Sequence, residues 1–223
     1  METRSLYHQS LEDLQKFLLN MGIEVERQIQ LAVDSLAKLD EQLAREAIAK
    51  DDLIDEMMLK VEEHCLRLIA LQQPLANDLR LIGTATKIAI DLERIADHAV
   101  DIAKITIRIC NEQYIQLLIK QLNDIPRMAE ITMIMLRESL VAYGEKDIQL
   151  AATLADKDDE VDKIYNSLVT EMLSLMGSDQ SSNRQLMQLT MVAHYLERVA
   201  DHTTNIGEGV IYMVTGKRKD LNV

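Results

Sequence analysis

Residues 92–98 read LERIADH and residues 196–202 read LERVADH, so one phrase occurs twice at an offset of 104. A repeat limits the fold strongly, because each copy must be one supersecondary unit that the chain uses twice. The likeness extends beyond the phrase. Lys50, Asp51, Asp52 and Asp55 match Lys157, Asp158, Asp159 and Asp162 at an offset of 107, and Asp40, Leu43 and Ala44 match Asp147, Leu150 and Ala151. The change from 107 to 104 places a shortening of three residues in the second copy, between its second and third elements.

Those elements read as helices. Leu11, Leu14, Leu18, Met21, Val25, Ala32 and Leu39 recur at three- and four-residue intervals and predict an amphipathic helix over 5–38. Asp40 suits the N-cap of a second helix reaching about Leu71. QQPLAND (72–78) reads as a turn, with Pro74 fitted to the first turn of a third helix that carries Leu81, Ala85, Ile88, Leu92, Ile95, Ala99, Ile102 and Ile109. The pattern then restarts: a fourth helix over 114–143, bent at Pro126 and ended by Gly144, a fifth over 147–176, a turn at GSDQSSN (177–183), and a sixth over 184–214 that stops near Gly216. Only 7 Gly and 2 Pro occur in 223 residues, which leaves few breakers for a β architecture. The expected fold is all-α: two tandem, pseudo-symmetric three-helix bundles, 1–110 and 111–223, built from six long antiparallel helices of about 30 residues, roughly 45 Å each.

Each copy carries two carboxylate pairs spaced i, i+4, which lie on one helix face. They are Asp51/Asp55 with Glu93/Asp97, and Asp158/Asp162 with Glu197/Asp201. The first two pairs centre on 53 and 95, equidistant from 74 inside QQPLAND; the second two centre on 160 and 199, equidistant from 179.5 inside GSDQSSN. Residues equidistant from a hairpin turn stand at one height, so each hairpin gathers four carboxylates. Asp51 and Asp158 also fall within apolar stripes, and Glu93 interrupts another. A carboxylate there must be paired, protonated or bound to a cation. Two sources of positive charge fit. Arg94 and Arg198 follow the glutamates directly, and Arg80 and Arg184 correspond at the same offset, which would give a structural salt-bridge layer. A metal ion is the other, since an all-carboxylate shell suits hard cations, or iron and manganese in carboxylate-rich clusters.

Other chemistries find little support. A net charge of −13 argues against direct nucleic-acid binding. The residues three before the five histidines are Ser5, Val61, Ile95, Met191 and Val199, so the Glu-x-x-His pattern of ferritin-like di-iron bundles is missing. HExxH, GxxxxGK[ST], GxSxG and GxGxxG are missing too, and no nucleophile–base pair is readable. His98 and His202 recur in the repeat and read as polar edge residues, with outer ligands or phosphorylatable histidines as the alternatives. Cys65 and Cys110 read as reduced core thiols of a cytosolic protein. The start METRSLYHQS has no apolar core of a signal peptide, and no stretch approaches the 18 apolar residues of a membrane span. Lys217, Arg218 and Lys219 read as a solvated basic tail.

ALQQPLANDLRLI (70–82), DLERIADHAVDIA (91–103) and YLERVADHTTNIGEGVIY (195–212) together closely resemble the PhoU family, over essentially the whole chain. The family often has Gly where this chain has Ala96 and Ala200, an exchange of one small residue for another. The resemblance implies a cytoplasmic, often dimeric, non-enzymatic regulator of phosphate-specific transport that represses the phosphate-starvation response. It implies two partners, the ATPase subunit of the phosphate ABC transporter and a phosphate-sensing histidine kinase, with the membrane reached only through them. It also implies divalent or trivalent metal ions (iron, zinc or manganese, in some members multinuclear clusters) on repeated Glu/Asp-x-x-x-Asp motifs. These fall on Asp51/Asp55, Glu93/Asp97, Asp158/Asp162 and Glu197/Asp201, with Asp101 and Asn205 one turn further along as candidate extra ligands. A metal-dependent helical-bundle enzyme and a histidine phosphotransfer module using His98 or His202 are the competing readings.

Overall fold

The computed structural model describes residues 2–110, 124–177 and 180–221, which form helices joined by short turns, with no strand among them. The first copy holds α1 (Glu2–Lys38), α2 (Glu41–Ala49), α3 (Asp51–Gln72) and α4 (Ala76–Cys110). The second holds α5 (Asp124–Glu145), α6 (Ile148–Ala152), α7 (Leu154–Leu175) and α8 (Gln180–Thr215). The all-α architecture is as expected, but the second and fifth helices expected from the sequence are each broken in two. Lys50 N–H reaches back three residues to Ala47 O, and Thr153 N–H to Leu150 O, so the ladder tightens locally at both breaks. The second break falls one turn earlier in its copy than the first, a difference that no breaker residue announces.

The entry to each broken helix uses one residue for two tasks. Leu39 and Lys146 take left-handed φ of 51° and 56°. Asp40 N–H then bonds Ser35 O at 2.9 Å, and Asp147 N–H bonds Ala142 O at 2.9 Å, closing α1 and α5 with Schellman-type turns. Asp40 and Asp147 at the same time accept from the second and third amides of the helix they open. Gly144, the expected stop of the fourth helix, lies inside α5; the stop is Lys146, two residues on. Pro74 stands before α4 rather than in its first turn, because Gln73 leaves α3 with a left-handed φ of 45°. The expected fourth helix begins at 114; residues 111–123 lie outside the described residues, and Pro126 is the third residue of α5.

Side-chain bonds fix the directions. Cys65 Sγ lies 3.6 Å from Ile82 O, and the carboxylates of α3 and α4 meet further from the same turn, so α3 and α4 are antiparallel. Tyr7 bonds Asp78 at 3.0 Å and Ser35 bonds Thr106 at 3.2 Å, both at a separation of 71, so α1 and α4 run parallel. Thr190 Oγ1 on α8 lies 2.8 Å from Met172 Sδ on α7, repeating the antiparallel hairpin. Among the described residues the most extensive helix contact is that between α4 and α8, and α1 also meets α5. Buried side chains of both copies therefore merge into one core.

Small residues allow this closeness. A methyl group on Gly207 would stand 2.8 Å from Leu154 Cδ1 and 3.1 Å from Ala151 O, at the junction where α6 gives way to α7. Gly207→Ala should therefore cost about 1–3 kcal/mol, whereas Gly83→Ala, whose methyl group meets nothing within 4 Å, should gain about 0.5–1 kcal/mol of helix propensity. Urea melts of the two variants check this; equal stability would show that α6 and α7 yield freely at Gly207.

Candidate functional site

The repeated phrase distributes its residues over three surroundings. Leu92, Ile95 and Ala96, like Leu196, Val199 and Ala200, are buried in the core. The glutamate and aspartate of each copy turn toward the neighbouring antiparallel helix. The histidine turns toward the other copy. Each copy thus builds one carboxylate layer and half of a seam.

In the first layer Asp51 is half-buried and Asp55 exposed. Burial, then Asp55 and Asp97, push the Asp51 carboxyl up, while Lys104 and a bond from Gln28 oppose them. Glu93 is raised by burial and by Asp97, Asp55 and Asp51. These four carboxylates therefore share one electrostatic environment, as hairpin geometry requires. Arg94 donates to Asp97 Oδ2 at 2.9 Å and lies 3.5 Å from Glu93 Oε2, so an arginine does serve this layer.

The second layer is more buried and less compensated. Asp158 is only 7% exposed. Burial first, then Asp162, Asp201, Glu197 and Asp159, push its carboxyl up to about 7. Every charged neighbour that shifts it is another carboxylate. Glu197 is raised by burial, Asp201 and Asp162, against Arg198. Its Oε2 is buried without a hydrogen bond, with His194 Nδ1 3.4 Å away. Arg198 pairs instead with Asp201. Position 208 is Glu where its counterpart is Lys104, so the second copy lacks the lysine that eases Asp51.

Of the four arginines that could balance the layers, Arg94 and Arg198 reach them. Arg80 does not; it bonds Asn77 near the start of α4. Asp101 and Asn205 also stand apart from the carboxylate quartets. Asp101 lies 3.6 Å from Lys104 and acts on Tyr195, and Asn205 is exposed beside Asp91 and Lys87. Among the described residues no three carboxylate, histidine or cysteine groups are drawn in to ligand distance. The donor set nonetheless fits a hard cation in the second copy, where a buried Asp158, an unbonded Glu197 oxygen and no reaching lysine leave negative charge unbalanced.

The histidines are not edge residues. His98 and His202 meet across the α4–α8 seam with ring centroids 5.7 Å apart. Both nitrogens of His98 are buried without hydrogen bonds, and burial, then His202 and Arg198, lower it to about 4. His202 Nδ1 lies 2.9 Å from Asp91 Oδ1, while His98 stacks on Tyr195 at 5.6 Å. Asp91 and Tyr195 are equivalents at the repeat offset of 104, a pairing visible in the sequence that points to this seam once the repeat is laid out. Both cysteines are free; Cys65 is buried as expected, and Cys110 is half-buried at the end of α4. No helix among the described residues is long and apolar enough to cross a membrane.

Comparison with known proteins places this geometry. The PhoU domain family model matches residues 18–106 and again 125–210, one match in each copy. A protein of Clostridium acetobutylicum named phosphate-specific transport system accessory protein PhoU homolog is 42% identical over 221 residues, 99% of both chains. One of the same name from Pseudomonas putida is 35% identical over 215 residues, 94% of this chain and 81% of the relative. The crystal structure of PhoU from Pseudomonas aeruginosa superposes with a TM-score of 0.85 at 34% identity, covering 95% of this chain and 100% of that one. That of the phosphate transport system regulatory protein PhoU from Streptococcus pneumoniae gives 0.87 at 31% identity, covering 96% and 99%.

Asp158 supplies a pH test. Its folded pKa lies above the unfolded value of 3.8, so its contribution to stability is complete below about pH 4 and is lost as pH rises toward 7. Asp158→Asn should accordingly stabilise the metal-free protein at pH 8, on the order of 2 kcal/mol, and flatten the stability profile between pH 4 and 7. Thermal melts of chelator-treated protein across that range read the effect; an Asp158→Asn variant that is destabilised and keeps the wild-type profile would contradict it.

Proposed function

The chain belongs to the PhoU family, and from that membership and its two carboxylate layers we propose that it is an accessory regulator of phosphate-specific transport, working as a metal-binding adaptor rather than an enzyme. In this reading it is a cytoplasmic homodimer that docks on the ATPase subunit of the phosphate ABC transporter. It holds a phosphate-sensing histidine kinase in its non-signalling state when phosphate is plentiful. The units 1–110 and 111–223 are its two metal-binding halves.

The observation that carries the metal reading is Asp158, a buried carboxylate facing three others, with no cation among the charges that shift it. Asp158, Asp162, Glu197 and Asp201 would hold the metal in the second half, and Asp51, Asp55, Glu93 and Asp97 in the first. A bound iron, zinc or manganese ion would supply the positive charge that these layers otherwise draw from Arg94 and Arg198. Asp101 and Asn205 would join only as outer ligands. Neutralising the layers fixes α3 against α4 and α7 against α8, and so the outer surface available to a partner. The seam position of His98 and His202 disfavours the phosphotransfer alternative, because a phosphoryl donor must reach a ring nitrogen and both His98 nitrogens are covered.

Elemental analysis of untagged, chelator-free protein tests the metal sites. Glu93→Ala with Asp97→Ala should remove metal from the first half only, and Glu197→Ala with Asp201→Ala from the second, leaving about half the wild-type content in each case if the halves load equally. Unchanged content in both double variants, or none in wild type, would overturn the metal reading. The regulatory reading is tested by deletion in the native host: a phosphate-starvation reporter should be switched on in phosphate-rich medium, and a reporter that stays silent would count against it.

A further inference from the structure

The basic tail is not a free tail. Gly216 takes a φ of +72° and its N–H bonds Tyr212 O at 2.8 Å, which ends α8 and reverses the chain. Lys217 N–H bonds back to Thr215 Oγ1 at 3.1 Å. Five residues after the turn, Leu221 is buried, and its N–H donates to Glu208 Oε1 at 2.9 Å. The segment is pinned at both ends as a strap along α8, and Arg218 and Lys219 are the residues it holds between the pins.

Beneath the strap, two adjoining cavities of about 440 and 320 Å³ lie between α4 and α8 and share Thr84, Lys87, Tyr212 and Arg218. The larger adds Arg80, and no carboxylate lines it. In a chain whose 37 acidic residues outnumber 24 basic ones, Arg80, Lys87 and Arg218 converge there, and none of them forms an ion pair among the described residues. Arg80 Nε is buried without a hydrogen bond, although its Nη2 holds Asn77 at 2.6 Å. Thr84 is 1% exposed, and its hydroxyl is likewise buried and unbonded. Arg218 lies over the Tyr212 ring at 6.0 Å, which steers it over the groove. The carboxylates that line the smaller cavity are engaged: Asp91 with His202, and Glu208 with the Leu221 amide. Arg80 and Lys87 on α4 and Arg218 on the pinned strap are like charges with unsatisfied donors below them, and they repel one another unless an anion lies among them.

We propose that this groove is a binding site for a phosphate-class oxyanion, gripped by the guanidinium groups of Arg80 and Arg218, the Lys87 ammonium and the Thr84 hydroxyl. Guanidinium forks and an ammonium suit a compact tetrahedral oxyanion of high charge. The site is separate from the carboxylate layers, which face α3 and α7. The same chemistry is offered by free inorganic phosphate and by the phosphate chain of a nucleotide.

Equilibrium dialysis on the chelator-treated full chain at low salt, with inorganic phosphate, pyrophosphate and ATP as separate probes, tests this. Saturable binding is expected for at least one probe. Tightest binding of inorganic phosphate identifies the free ion as the ligand; tighter binding of ATP or pyrophosphate identifies a phosphate chain. Lys87→Glu with Arg218→Glu should weaken the bound probe by at least about tenfold, while Lys60→Glu on α3 leaves it unchanged. If charge reversal disturbs the fold, as read by helicity, Lys87→Gln with Arg218→Gln removes the charge without adding carboxylates and should still weaken binding by about threefold or more. No saturable binding of any probe up to about 10 mM, or binding that the groove variants leave untouched, would overturn the site.

Discussion

Everything in this molecule is arranged around the contact between α4 and α8. α4 is buried along its length, from Ile82 to Ile109, and its buried positions are rich in alanine. It meets α1, α2 and α3 of its own copy and α8 of the other. A helix enclosed on several sides must aim the charged residues that border its core at chosen neighbours. Glu93 and Asp97 face α3, and His98 faces α8. The repeated phrase supplies all these faces within seven residues, and the second copy uses it again on α8, which is enclosed in the same way.

Close packing decides how those charges behave. Small residues, among them Gly209, whose added methyl group would lie 3.3 Å from Thr84 Cγ2, bring α8 against α4. That closeness buries the His98 ring and keeps it neutral. Gly207 does the same for the α6–α7 junction, facing Leu154 and Ala151, and on α7 Asp158 is buried. The carboxylate layers are thus consequences of core packing as much as of local charge: loosening either hairpin would let water return to the carboxylates and remove their need for a counterion.

Hairpin register makes the carboxylate layers legible in the sequence, because equal distances from a short turn mean equal heights on antiparallel helices. Asp51, Glu93 and Asp97 meet on that account alone, and so do Asp158, Glu197 and Asp201. Asp40 is readable as a cap for a similar reason, since its chemistry is local. The left-handed turns at Leu39 and Lys146 are hidden because neither residue is glycine; the Schellman bonds of Asp40 and Asp147 hold them. The breaks at Lys50 and Thr153 are hidden because helix propensity continues across them. The strap is hidden because three basic residues near an end look the same whether or not a leucine downstream is anchored.

The two copies differ at residues that face each other across the seam. A duplicated unit that met its copy with unchanged residues would place like against like, and at this seam that would set an aspartate beside each histidine. Instead Asp91 pairs with His202 on one side, and its equivalent Tyr195 stacks on His98 on the other. One half of the seam is a polar pair and the other a stacked aromatic pair, so the polar pair does not have to be buried twice. The same divergence replaces Lys104 by Glu208, which takes a cation away from Asp158 and gives the strap its anchor at Leu221. Asymmetry introduced at one residue therefore reaches both the second carboxylate layer and the cationic groove, although the repeated phrase itself is almost unchanged.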